Sequence, residues 1–231
     1  MCDYILPFLL AFRPRHAAGC VPDVVAWWRP YAVVALLAMS LGVLSHSLAV
    51  TITIAHLPPS ATPADVERVR EWLGAGLASR TLFLPFRLAV ECGLSAMLLL
   101  GFSRAFVGRA AGRFRGFFVL SLAASIFPLL GRCAGIIRAS IASGNAALSL
   151  QPPFSAFDLF PAVTDYRVIL LLTSINLFTL WYVGSVTLGL AVLCRCRSWK
   201  AFLVAVAAWT VSTAFSITVL LLLRNAFQFR L

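Results

Sequence analysis

The chain has 231 residues, 61% of them hydrophobic and only 12% charged, with a mean hydropathy of +0.94. Soluble domains carry about 25% charged residues, so half the ordinary charge is missing and a water-soluble fold is excluded. The net charge of +11 comes from 19 Lys and Arg that are spread along the chain and sit mostly where apolar runs end. That distribution orients helices and meets anionic headgroups; it does not mark a nucleic-acid surface.

Residues 1–30 open with Tyr4–Phe12, a stretch too short for a secretory signal, placed before the first Arg residues and interrupted by Pro7. Ile5, Leu6, Phe8, Leu9 and Phe12 share one side of a short helix, followed by Arg13, Arg15 and His16. The pattern is that of a cytoplasmic segment lying in the membrane interface, with a frayed tail as the alternative. Trp27-Trp28-Arg29-Pro30-Tyr31 marks the headgroup zone.

A first span is expected over 31–54, with His46 inside it as a helix-contact residue. Pro58, Pro59 and Pro63 end it. Thr62 as cap, Pro63 at the first helical position and Asp65 in the first turn then start a short amphipathic helix over 64–79. Its Val66, Val69, Leu73 and Leu77 are expected to face the membrane.

The second span, 82–107, contains Arg87 and Glu91, whose i,i+4 spacing lets them pair on one face. A linker with Arg104, Arg109, Arg113 and Arg115 and no acidic residue leads to the third span, 116–141. There Pro128 predicts a kink, and Gly131 and Gly135 form a small-xxx-small pair that permits close helix approach. Arg132 lies at nearly the same depth as Glu91 and needs a partner. Residues 142–166, with Pro152, Pro153, Phe154, Asp158 and Pro161, are expected to form a loop dipping into the interface.

Spans four (168–193) and five (201–223) contain no formally charged residue. Each exceeds the roughly 20 residues needed to cross about 30 Å of hydrocarbon. Backbone amides in lipid must be satisfied internally, which selects helix. The hinge Cys194–Lys200 forces an antiparallel hairpin. The whole reads as an all-α membrane protein with five transmembrane helices, a cytoplasmic N-terminus and an extracytoplasmic C-terminus. The orientation follows from the basic residues. Arg13, Arg15, Arg29, the four-Arg linker, Arg195, Arg197 and Lys200 fall on one side, with no acidic residue beyond Asp3 and Asp23; the mixed charges of 65–80 and 158–167, with Arg224 and Arg230, fall on the other.

Catalytic patterns are lacking. The sequence contains no HExxH, GxSxG or GxxxxGK[ST], its three His lie in three different settings, and its six Cys include no CxxC. No metal, cofactor or disulfide is therefore expected. A charge at bilayer depth costs about 2.5–3.5 kcal/mol on insertion scales, so Arg87, Glu91 and Arg132 are expected to avoid lipid. Structurally they would tie span two to span three; functionally they would line a path for an ion, proton or headgroup. Asn176, inside span four, is expected to join them by hydrogen bonding across helices.

Certain motifs carry a resemblance. Phe12-Arg13-Pro14-Arg15, Pro22 and Trp27-Trp28-Arg29-Pro30 resemble the opening of bacterial members of the Yip (Ypt-interacting protein) family. Leu177-Phe178-Thr179-Leu180-Trp181-Tyr182, Gly189-Leu190, Trp199-Lys200-Ala201 and Trp209 resemble its last helical hairpin. The resemblance implies five membrane helices, a cytoplasmic N-terminus and no catalytic residues. The family's long N-terminal domain and its Asp-Leu-Tyr-Gly-Pro stretch have no counterpart here, so the GTPase-linked traffic of its eukaryotic members is not carried over. The expected function is that of a non-enzymatic multi-pass protein of the inner (plasma) membrane, organising membrane or scaffolding partners. Its expected partners are the lipid bilayer, other membrane proteins or further copies of itself. The alternatives are a small transporter or channel using the Arg/Glu cluster and, last, a lipid-modifying enzyme.

Overall fold

The computed structural model describes residues 6, 7, 9, 26–55, 57, 62–74, 77–108, 113–141, 152–160 and 162–228. The regular elements are helices: α1 (Trp28–Ala55), α2 (Pro63–Gly74), α3 (Leu77–Phe106), α4 (Phe114–Ala124), α5 (Ile126–Ile141), a 3₁₀ turn (Ala156–Leu159), α6 (Tyr166–Ser174), α7 (Leu177–Leu193) and α8 (Ser198–Gln228). Among the described residues, four stretches are long and apolar enough to cross a membrane: Trp28–Thr51, Thr81–Phe106, Phe114–Ile141 and Ser198–Leu222. The shorter apolar α7 accompanies them. This is the make-up of a membrane-embedded, all-helical protein.

Short-range signals are met where the residues dictate them. Thr62 and Asp65 cap each other at the start of α2: the Thr62 amide and hydroxyl donate to the Asp65 carboxylate at 2.9 and 2.7 Å, and the Asp65 amide donates back to Thr62 Oγ1 at 3.3 Å. The Thr62 hydrogen bonds hold the Asp65 carboxyl below the usual carboxylate range. The third span is interrupted one helical turn ahead of Pro128. The proline ring crowds the carbonyl four residues back, that of Ala124, and the helix breaks at Ser125 between α4 and α5.

That broken span is the centre of the bundle. Within Phe114–Ile141, 67% of an 18-residue apolar stretch is buried, against 17–22% in the other three. α4 packs on α1, α3 and α7; α5 packs on α1 and α7; α8 closes the group against α3 and α7. Phe117, Leu120 and Phe127 meet Leu99, Val186, Leu190 and Val204 in the larger core. Val34, Ala38, Leu88, Cys92, Leu122 and Leu129 form a smaller one. In lipid, burying one apolar face against another brings little transfer gain, so close contact depends on small residues. Accordingly Gly189 sits directly on Leu120, Gly116 on Leu193, and Gly42 on Leu84. Leu6 is fully buried and joins the larger core; the rest of the expected interfacial stretch Tyr4–Phe12, apart from Pro7 and Leu9, lies outside the described residues.

The two ends of the bundle differ in charge. Trp27 stands 5.6 Å from Phe118, Gly116 abuts Leu193, and Cys194 Sγ lies 3.9 Å from Ser103 Oγ. These contacts gather the starts of α1 and α4 and the ends of α3 and α7 at one end. It carries Arg29, Arg104, Arg113, Arg115, Arg195, Arg197 and Lys200 and, among the described residues, no carboxylate. The opposite end is mixed: α2 carries Asp65, Glu67 and Glu71 with Arg68 and Arg70, and the loop bearing Asp158 and Asp165 meets Arg138 and Arg167.

Span four departs from expectation: 168–193 is not one helix. It is split into α6 and α7 by Ile175 and Asn176, both extended. Residues 154–156 lie antiparallel to the break. The Ala156 amide donates to the Ile175 carbonyl at 2.8 Å, and the Leu177 amide to the Phe154 carbonyl at 3.3 Å. Ser, Thr and Asn side chains compete with helical hydrogen bonds, and Thr173-Ser174-Ile175-Asn176 concentrates three of them. Irregular backbone is tolerated beside lipid only where protein satisfies it, and the 154–156 segment does so here.

Candidate functional site

Helix α3 carries its charges on an outward face. Leu88, Cys92, Ala96 and Leu99 point into the cores, while Leu82, Phe83, Phe86, Val90, Leu94 and Met97 are exposed. Tyr31 Oη donates to the Pro85 carbonyl at 2.8 Å and ties α1 to α3 just before the charges. Arg87 Nε then donates to Glu91 Oε1 at 2.7 Å, with the two side chains 69% and 55% exposed. This is a charge-assisted i,i+4 pair. Ten residues separate Glu91 from the start of the apolar stretch at Thr81. At 1.5 Å per residue that is about 15 Å along the helix, half the thickness of a roughly 30 Å hydrocarbon core.

Arg132 stands beside this pair without closing it. It lies within Coulombic range of both Arg87 and Glu91 but makes no ion pair or hydrogen bond with a described residue, and its outer side is open. The expected three-member knot is therefore one pair within α3 plus a neighbouring cation. The reason lies in helix placement. The expectation had Gly131 and Gly135 bringing span three against span two. Instead α5 packs on α1 and α7, and a Cβ at Gly131 would lie 3.3 Å from Phe178 of α7. Gly135 is buried on the same helix.

Asn176 also acts locally and does not bridge to the charged pair. Its side chain accepts from the Thr179 amide at 2.9 Å, capping α7, and donates to the Thr173 carbonyl at 3.0 Å. The loop opposite is itself capped. The Ser155 amide donates to Asp158 at 2.9 Å, and Arg138 Nη1 at the end of α5 donates to Asp158 Oδ1 at 3.0 Å. Phe154 takes a positive φ of 61° to turn the chain into this clasp. Burial opposes the charge on Asp158, but the hydrogen bonds from Ser155 and Arg138 outweigh it and hold the carboxyl below its ordinary range. The Ser155-x-x-Asp158 capping pattern was visible in the sequence; its pairing with Asn176 was not.

No group of three or more His, Cys, Asp or Glu that could hold a metal occurs among the described residues. Cys92, Cys133, Cys194 and Cys196 are free thiols. Burial, followed by the nearby Cys194, pushes the Cys196 thiol up, which disfavours its thiolate. Comparison of the chain with protein-family models, curated proteins and solved structures finds no match.

Proposed function

We infer that the chain is a non-enzymatic, multi-pass membrane scaffold of the Yip type, resident in the inner (plasma) membrane and assembling with other membrane proteins. In this reading it crosses the bilayer five times, with α6 and α7 together making the fourth crossing and the basic end in the cytoplasm. The 17 residues of α7 span about 26 Å, nearly a full hydrocarbon thickness.

The observation that supports assembly is the exposed Arg87–Glu91 pair on an apolar face at mid-bilayer depth. Ionised groups at that depth face protein or water, because lipid solvates neither charge. A partner helix laid along Phe86, Val90 and Leu94, with a polar group opposite Glu91, would cover the pair. The alternative is a transporter that wets the same charges and uses Arg132 beside them. Photo-crosslinking from Leu94 in native membranes separates the two. Protein adducts that diminish in Glu91→Gln are expected. Lipid adducts alone, together with an ion flux in proteoliposomes abolished by Glu91→Gln, would replace scaffolding by transport.

A further inference from the structure

At the basic end, where α1 and α4 both begin, Trp27, Phe114, Arg115 and Phe118 line an open groove of about 480 Å³. That volume is within the range of about 300–1,000 Å³ typical of small-ligand sites. The walls are aromatic and held in register. Trp27 meets Phe118 edge-on at 5.6 Å, and Phe114 lies 6.1 Å from Phe118. Trp27 and Phe114 remain 45% and 43% exposed, so the groove is accessible from outside the bundle. Arg115 supplies a guanidinium within the lining. Arg113 precedes Phe114 as the N-cap of α4 and forms no side-chain cap bond there, leaving the positive end of the helix to add to the local potential.

We propose that this groove binds one anionic phospholipid, with its phosphate at Arg115 and the glycerol backbone and first methylenes over Trp27, Phe114 and Phe118. The argument rests on charge complementarity and depth. Trp at the mouth of an apolar helix sits at headgroup level. Among the described residues this end of the bundle holds seven cations, at Arg29, Arg104, Arg113, Arg115, Arg195, Arg197 and Lys200, and no carboxylate. A phosphate finds complementary charge there, whereas the ammonium of a zwitterionic headgroup adds a like charge beside Arg115. The aromatic walls offer no hydrogen-bond acceptor to a free phosphate but cover an acyl chain well, so the lipid is favoured over the inorganic ion. The site is independent of whether the chain scaffolds or transports.

The test is native mass spectrometry of the full, delipidated chain titrated with dioleoyl-phosphatidylglycerol or dioleoyl-phosphatidylcholine. The expected result is a saturable first phosphatidylglycerol adduct preferred over phosphatidylcholine. In Arg115→Gln the preference should fall by about fivefold, the factor one Arg beside an anionic headgroup supplies. It should survive in Arg115→Lys and in Arg197→Gln, a cation of the same end outside the groove. Phe114→Ala should weaken binding of the anionic lipid at unchanged melting temperature, which keeps the test informative if Arg115→Gln misfolds. Equal binding of the two lipids, equal losses in Arg115→Gln and Arg197→Gln, or full displacement by inorganic phosphate would each overturn the assignment. So would a Trp27→Ala variant that changes oligomeric mass and leaves lipid binding intact, because the groove would then belong to a second copy of the chain.

Discussion

Asn176 shows how much one side chain settles in a chain this apolar. Its amide oxygen caps α7 and its amide nitrogen holds the Thr173 carbonyl. Replacing an N-cap Asn by Ala costs about 0.5–2 kcal/mol. Asn176→Ala should lower the melting temperature in detergent by that equivalent, with Asn176→Ser recovering most of it; an unchanged melting temperature would mean that the 154–156 segment alone secures the break. Asp158 holds the other half of the clasp, and its contribution depends on pH. Its folded pKa lies below the unfolded one. Its stabilisation is therefore complete above the unfolded value of about 3.9 and is lost as pH falls through the lower folded value. Limited proteolysis within 152–160 should stay flat from neutral pH down to about 5 and rise only under stronger acid. Asp158→Asn should show the raised cleavage at every pH, since it removes the carboxylate that Ser155 and Arg138 hold.

Between helices, the contacts that matter are those where one helix lets another's side chain touch its backbone. A Cβ added at Gly189 would overlap Leu120, a fully buried residue of the central span with no room to retreat. Gly184 on the same helix has nothing within 4 Å of its notional Cβ. Gly189→Ala should therefore destabilise the protein by about 1–3 kcal/mol, the ordinary cost of overpacking. Gly184→Ala should be neutral or stabilising, because Ala exceeds Gly in helix propensity by about 1 kcal/mol. Detergent unfolding of the two variants measures the contrast, and adding Leu120→Ala to Gly189→Ala should relieve part of the loss. Equal effects at the two glycines would mean that α4 and α7 are not in close contact. Ser185 and Gly189 form a small-xxx-small pair on α7, a signal for this contact that was present in the sequence beside the more conspicuous Gly131 and Gly135.

For the whole molecule, the decisive property is the separation of charge between the two ends of the bundle. An excess of Lys and Arg favours the cytoplasmic side. A reporter inserted near Gly112, in the linker before α4, should read out as cytoplasmic. One fused after Leu231 should read out as extracytoplasmic. Matching locations for the two would leave an even number of crossings between them, and α6–α7 would then have to lie along the interface or turn back within the bilayer.

The sequence by itself determined what depends on composition and on neighbours one helical turn apart. Run lengths and missing charge gave helices in a membrane, because lipid leaves the backbone no other way to bond. Thr62–Asp65, the helix interruption ahead of Pro128 and the Arg87–Glu91 pair were legible for the same reason: each joins residues within four positions. Only the tertiary structure decided that Phe114–Ile141 is the central span, that Gly131 faces Phe178, that Arg132 stays outside the ion pair and that 154–156 splits span four at Asn176. Helices such as α1 and α7 are apolar on every side, so no polar stripe marks which face turns inward. In lipid that choice rests on the fit of small residues against large ones and on backbone groups satisfied from distant parts of the chain, and neither is written in local spacing.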